Sequence, residues 1–182
     1  MLHPDHPADS PPVAAAIPPD PAQAAQLEAQ LQRLRAIIAG YGPSLVAFSG
    51  GVDSALVLAV AAEVLGTAVV CLTAVSETMA AREITAAAEL AASLGVRHEQ
   101  VRSHELARPG FAENPSNRCY HCKSELFDLC EPVAARLGLP NILLGTNLDD
   151  LSDHRPGLQA ARERGARQPL VEAGLNKADV RR

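Results

Sequence analysis

Residues 44–60 read Ser44-Leu45-Val46-Ala47-Phe48, then Ser49-Gly50-Gly51-Val52-Asp53-Ser54, then Ala55-Leu56-Val57-Leu58-Ala59-Val60. The first five carry no charge, and four of them are apolar, which suits a strand covered on both faces. Gly50 and Gly51 permit a tight turn and close approach of a ligand to the backbone. From Ser54 the apolar run reads as a helix over 54–65, stopped by Gly66. A helix start leaves amide N–H groups without partners and carries the positive end of the macrodipole, so it favours an anion. With the hydroxyls of Ser49 and Ser54 beside it, the turn holds the parts of a phosphate cradle. The plainer reading of the same residues is a strand-to-helix turn with a serine cap. A Walker A ending, Gly-Lys-Ser/Thr, is missing, and so is the dinucleotide pattern G-x-G-x-x-G.

On either side the same rhythm continues. Leu27, Leu31, Leu34 and Ile38 recur at spacings of three and four and predict a helix over 22–39. Further strands are expected at 67–72, 96–101 and 141–144, with a short fifth at 168–171. Helices are expected at 79–94, 120–137 and 156–165, and a long loop over 102–118, where Pro109-Gly110 and Asn114-Pro115 act as breakers. Asn176 reads as the cap of one more helix. Seven of the 14 prolines fall in residues 1–21, which are expected to be a disordered leader ahead of one domain over 22–182. Strands alternating with helices predict an α/β fold: a doubly wound parallel sheet of about five strands with helices on both faces. Ligands of such sheets bind outside the carboxyl ends of the strands at the topological switch point, here just after Phe48, Leu72, Val101 and Leu144.

Composition narrows the function classes. The 182 residues are 47% hydrophobic and 20% charged, which excludes disorder throughout and a coiled coil. Aromatics make up 3% and tryptophan is absent, so the core must be built from Ala, Leu and Val. A net charge of −5 supplies no bulk drive towards nucleic acid, and no run of apolar residues is long enough to span a membrane. Four cysteines at these spacings are not a disulfide framework and suit a reducing, cytoplasmic setting. Cys119 and Cys122 form a single C-x-x-C beside Arg118 and Lys123. A structural zinc site needs four ligands and no second pair follows, which leaves a redox pair of lowered pKa or two thiols bracing a loop.

Taken together, SGGVDS between strand and helix resembles the PP-loop of the ATP pyrophosphatase superfamily, which has the adenine nucleotide alpha hydrolase-like fold and includes NAD, GMP and asparagine synthetases and tRNA thiolation enzymes. Thr73-Ala74-Val75-Ser76, Arg118-Cys119-Tyr120-His121-Cys122-Lys123, and Gly145-Thr146-Asn147-Leu148-Asp149-Asp150 with Asp153-His154-Arg155-Pro156-Gly157 make the resemblance more specific. In this order they resemble the LarE-type ATP-dependent sacrificial sulfur transferases, from about Leu34 onwards. The resemblance implies ATP and Mg²⁺ as cofactors and a small-molecule pyridinium carboxylate nucleotide as partner. ATP would adenylate the carboxylate with release of pyrophosphate, and a cysteine sulfur would displace AMP, on the way to the pyridinium bisthiocarboxylate nucleotide that carries nickel.

It also implies roles for particular residues. Ser49, Gly50, Gly51, Asp53 and Ser54 would bind the phosphates, with Asp53 and Ser54 catalytic, and Ala47 would contact ATP. Thr73, Ala74 and Ser76 would line the adenine and ribose pocket, and Gly145 and Thr146 would approach the nucleotide. Asp53, Asp149 and Asp150, with Asp153 near them, would hold Mg²⁺, although acidic loops also serve as solvated surface or caps. Arg118, Lys123 and Arg155 would contact phosphate or carboxylate. The family continues past the point where this sequence stops, and its later half carries the sacrificial cysteine or cysteines for an iron–sulfur cluster. No cysteine follows Cys130, so the expectation is the ATP-binding half alone. A tRNA thiolation enzyme, which the acidic balance disfavours, and a nucleotide-binding module without turnover are the rival readings. A homo-oligomer is left open.

Overall fold

The structure is a computed structural model that describes residues 20–77, 79–103, 118–151 and 156–182, with backbone alone at 118–122 and 156–158. Strand β1 (Ser44–Ala47) is buried along its whole length. It pairs in parallel with β2 (Val69–Val75) on one side and β4 (Asn141–Leu143) on the other, and β2 pairs in parallel with β3 (Arg97–Arg102). The order β3-β2-β1-β4 reverses direction at β1, so the switch point lies between the carboxyl ends of β1 and β4. The helices are α1 (Pro21–Tyr41), α2 (Val52–Leu65), α3 (Ala81–Ser93), α4 (Arg118–Leu137), α5 (Pro156–Glu163), α6 (Pro169–Ala173) and α7 (Lys177–Val180).

Alternation along β1 feeds two cores. Val46 joins Leu34, Ile38, Val57, Cys71 and Leu143 on one face, where α1, α2 and α3 pack. Leu45 and Ala47 join Leu72, Phe127, Val133 and Ala161 on the other, under α4 and α5. The doubly wound parallel architecture expected from the sequence is therefore present. Cys71 and Cys130 are free thiols, one in each core, and burial pushes both up to about 12. At that value neither forms a thiolate near neutrality.

Four expectations are corrected. The fifth strand at 168–171 does not form: Pro169 opens α6, and only Arg167 reaches the sheet, through a single parallel bridge to Leu143. Proline lacks a ladder donor but suits the first helical position. The second strand is displaced, because 66–68 make a 3-10 turn and β2 runs on to Val75. Its pairing with the polar β3 carries it there, through Thr73↔Gln100, Ala74↔Val101 and Val75↔Arg102. Thr73 and Ala74 thus lie inside the strand rather than after it. Helix α2 starts at Val52, two residues before the expected 54, with Gly51 rather than a serine as its cap. Pro21 belongs to α1 rather than to the leader, again as a first-turn proline. Residues 1–19 of the expected leader and 104–117 of the expected loop lie outside the described residues.

Candidate functional site at the carboxyl edge of β1 and β4

The chain leaves β1 through Phe48, whose amide still donates to the Leu72 carbonyl at 2.8 Å. Ser49, Gly50, Gly51 and Val52 then lie exposed at the sheet edge. Gly50 takes φ +77°, the left-handed region that favours glycine, and so aims the turn back towards the helix. The Ser54 hydroxyl is buried and staples the turn. It donates to the Gly51 carbonyl at 3.0 Å and accepts from the Ser49 amide at 3.3 Å. With its one hydrogen spent on Gly51, Ser54 takes the 3.1 Å contact with Ser49 as an acceptor. The Gly51 amide donates to Ser49 Oγ at 3.4 Å. Helix bonding begins at Ala55, whose amide reaches the Gly51 carbonyl at 2.9 Å, so the amides of Val52, Asp53 and Ser54 have no helical acceptor.

Gly145 closes the other side of the turn. A Cβ placed there would lie 2.5 Å from the Ser54 nitrogen and 2.8 Å from its Cα. The exit of β4 is therefore packed backbone to backbone against the first turn of α2. The close approach expected of Gly145 is made to the helix that carries the turn. Thr146 and Asn147 are buried directly after it.

Beside the turn sits an ion pair that links three segments. The Asp53 carboxylate receives the Lys177 ammonium, and Asn147 Nδ2 donates to the same carboxylate at 3.4 Å. The two charged side chains are 19% and 32% exposed, so water reaches the pair only in part. The Lys177 amide donates to Asp149 Oδ2 at 3.0 Å, the Asn147 amide to Asp150 Oδ2 at 3.1 Å, and the Asp149 amide to Asn147 Oδ1 at 2.9 Å. Asn176 and Asp179 complete a reciprocal capping box under α7. Asp149 and Asp150 thus serve backbone amides in the 3-10 turn Leu148–Leu151 and across to α7. Among the described residues no group of three or more His, Cys, Asp or Glu side chains forms a cluster that could hold a metal.

Ala47, Ser49, Gly50, Gly51, Asp53, Ser54, Gly145, Thr146, Asp149 and Asp150 lie at or just beyond the carboxyl ends of β1 and β4. Ala47 lies buried in β1, while Ala74 and Ser76, half-buried, lie at the end of β2. Thr73 is 1% exposed, with its hydroxyl donating to the Phe48 carbonyl at 2.8 Å. Arg118, Cys119 and Cys122 fall on the first turns of α4, where the backbone alone is described; Lys123 follows on the same helix and is half-buried, while Asp153 and Arg155 lie outside the described residues. Sequence reasoning gave no role to Asn147, Lys177 or His98.

The glycine turn at the switch point of a parallel α/β sheet is similar to a PP-loop, and residues 35–113 match the asparagine synthase family model. The chain is 47% identical over 155 residues to an uncharacterized protein of Synechocystis sp., covering 85% of this chain and 58% of that protein. It is 39% identical over 140 residues to the pyridinium-3,5-bisthiocarboxylic acid mononucleotide synthase of Lactiplantibacillus plantarum, covering 75% of this chain and 50% of the synthase. The chain is thus similar to the PP-loop domains of the LarE type. It spans about half the length of the curated relatives it matches. Its backbone also superposes on the U34-tRNA thiolase NcsA of Methanococcus maripaludis with a TM-score of 0.63 at 14% identity, over 87% of this chain and 63% of the thiolase. That likeness concerns the fold alone. No helix among the described residues is long and apolar enough to cross a membrane.

Proposed function

We propose that this domain binds ATP at the glycine turn and adenylates a carboxylate of a pyridinium nucleotide, releasing pyrophosphate, ahead of a transfer in which a sulfur nucleophile displaces AMP. One observation carries the reading: residues 49–52 are exposed at the switch point, with Gly50 at φ +77° and the amides of Val52 and Asp53 at the start of α2 without a helical acceptor. The sequence relation to the bisthiocarboxylic acid mononucleotide synthase supports the choice of substrate.

Ser49, Gly50 and Gly51 and the α2 amides bind the pyrophosphate portion, and fixed donors of this kind stabilise the charge that develops as pyrophosphate leaves. Ala74 and Ser76, at the end of β2, and Thr146, after β4, border the nucleoside. Lys177 adds a cation at the same edge. Arg118, Lys123 and Arg155 are the candidate contacts for the substrate carboxylate or phosphate. Mg²⁺ is usually held by one or two protein carboxylates together with phosphate oxygens, and Asp53 would supply one such carboxylate on exchanging its Lys177 partner for the ion, whereas Asp149 and Asp150 are engaged by the Lys177 and Asn147 amides. When bound, the ion would neutralise the phosphate oxygens. The free thiols Cys71 and Cys130 accord with a reducing, cytoplasmic setting.

Incubating the full chain with ATP, Mg²⁺ and a pyridinium carboxylate mononucleotide tests the reading. AMP and pyrophosphate should form in equal amounts and only with the carboxylate present, and Asp53→Ala should abolish their formation. ATP binding without turnover would leave a nucleotide-binding module, and release of ADP would contradict the bond assigned to cleavage.

A further inference from the structure

Three strands are tied together one level beneath the glycine turn. The regular register of β1 on β2 ends at Ala47↔Leu72, and the next carbonyl, that of Phe48, accepts the Thr73 hydroxyl at 2.8 Å. The same hydroxyl oxygen lies 2.8 Å from His98 Nε2 on β3. A carbonyl only accepts, so the single hydroxyl hydrogen of Thr73 goes to Phe48 and His98 Nε2 must carry its own hydrogen. The His98 ring also packs edge-on against the Phe48 ring, with centroids 6.2 Å apart and planes at 67°. Phe48 is thus held at its amide by Leu72, at its carbonyl by Thr73 and at its ring by His98, and Ser49 follows directly.

We infer that Thr73 and His98 are positioning residues for the phosphate-binding turn: His98 orients the Thr73 hydroxyl, and Thr73 fixes the Phe48 carbonyl from which the turn departs. The inference rests on the phosphate-site reading above. It assigns Thr73 a role other than nucleotide contact, because its side chain is enclosed and its hydrogen already committed. The alternative is a hydrogen bond that contributes to stability alone, and the two roles separate experimentally.

The full chain is titrated with MgATP by calorimetry, and each variant is also melted without nucleotide. Thr73→Val removes the hydroxyl at nearly constant shape and should weaken MgATP binding about tenfold, the worth of one buried hydrogen bond. Thr73→Ser should restore it. His98→Phe should weaken binding in the same direction, His98→Gln, which retains a donor at that reach, should not, and the Thr73→Val/His98→Phe double variant should lose no more than Thr73→Val alone. Val133→Ala, in the opposite core, should lower the melting temperature and leave the affinity in place. If Thr73→Val binds MgATP as the wild type does, or loses no more affinity than Val133→Ala at equal loss of melting temperature, the positioning role is overturned. Should Thr73→Val not fold, the His98→Phe and His98→Gln pair decides by the same criterion. Absence of binding by the wild type would instead remove the phosphate-site reading, and this inference with it.

Discussion

Gly50 and Gly145 stand on either side of one turn and are required for different physical reasons. Gly50 has room for a side chain, with Ala87 Cβ at 3.7 Å from an added Cβ, but its φ of +77° penalises one. Gly145 has ordinary φ, and an added Cβ would meet the Ser54 backbone at 2.5 Å. Gly50→Ala should therefore cost about 1 kcal/mol in denaturant unfolding, and Gly50→Asn less, since asparagine tolerates the left-handed region. Gly145→Ala should cost about 1–3 kcal/mol through overpacking, and Gly145→Ser no less. Equal tolerance at the two positions would contradict the packing of β4 against α2. The pair Asp53–Lys177 sits on the same boundary of burial and function. Lys177→Met should lower stability by no more than about 1 kcal/mol, because the pair keeps partial contact with water. Its effect on MgATP affinity should exceed tenfold, since it removes a cation from the edge proposed to bind the phosphates. A variant that loses stability but keeps affinity would separate Lys177 from the phosphate site.

Helix α7 has four residues, too few for its own hydrogen bonds to sustain it, so the capping box of Asn176 and Asp179 holds it. Asn176→Ala should cost about 1 kcal/mol. Amide exchange should then accelerate at Lys177–Val180, and MgATP affinity should fall with it, because Lys177 loses its fixed position. Exchange unchanged at these amides would mean that the Lys177–Asp149 bond and burial of Val180 suffice. This cap was legible in the sequence because its partners lie three residues apart. The strand-turn-helix of 44–65 was legible for the same reason: burial, turn and helix start are each encoded locally. The end of β2 was not, since it depends on pairing with β3, whose residues Arg97–Arg102 carry no apolar period to announce the extension. Apolar residues at 168–171 suit a buried strand or a short helix equally, and Pro169 supplied the deciding signal. Lys177 and Asp53 are 124 residues apart, and their meeting follows only from the placing of β4 beside β1.

At the scale of the whole molecule, the sheet has one polar edge. β3 pairs only with β2 among the described strands, and Arg97, Glu99 and Arg136 form ion pairs along it, which blunts the edge against other chains. Its inner contact with the sheet includes His98, through Thr73 and Phe48, so the charge state of His98 bears on the edge strand and the turn together. Burial lowers the His98 pKa below 6.5, and the neighbouring Glu99 charge opposes the shift without reversing it. The unfolded chain therefore binds this proton more readily than the folded one. The resulting stability is fully present above pH 6.5 and declines as the pH falls towards and through the folded value of His98. Glu99 is lowered from 4.5 by its hydrogen bond to Arg97, so its contribution is present above that value and is lost in more acid solution. The His98 decline starts at a higher pH than the Glu99 decline, which makes its onset measurable. The urea midpoint of the wild type should be flat above about pH 7 and begin to fall as the pH drops below 6.5, above the range where the carboxylates titrate. His98→Gln keeps the donor to Thr73 and has no proton to gain, so its midpoint should stay flat across that interval and converge with the wild-type decline only in the carboxylate range. A wild-type midpoint that does not move over that interval would show that His98 is solvated when charged.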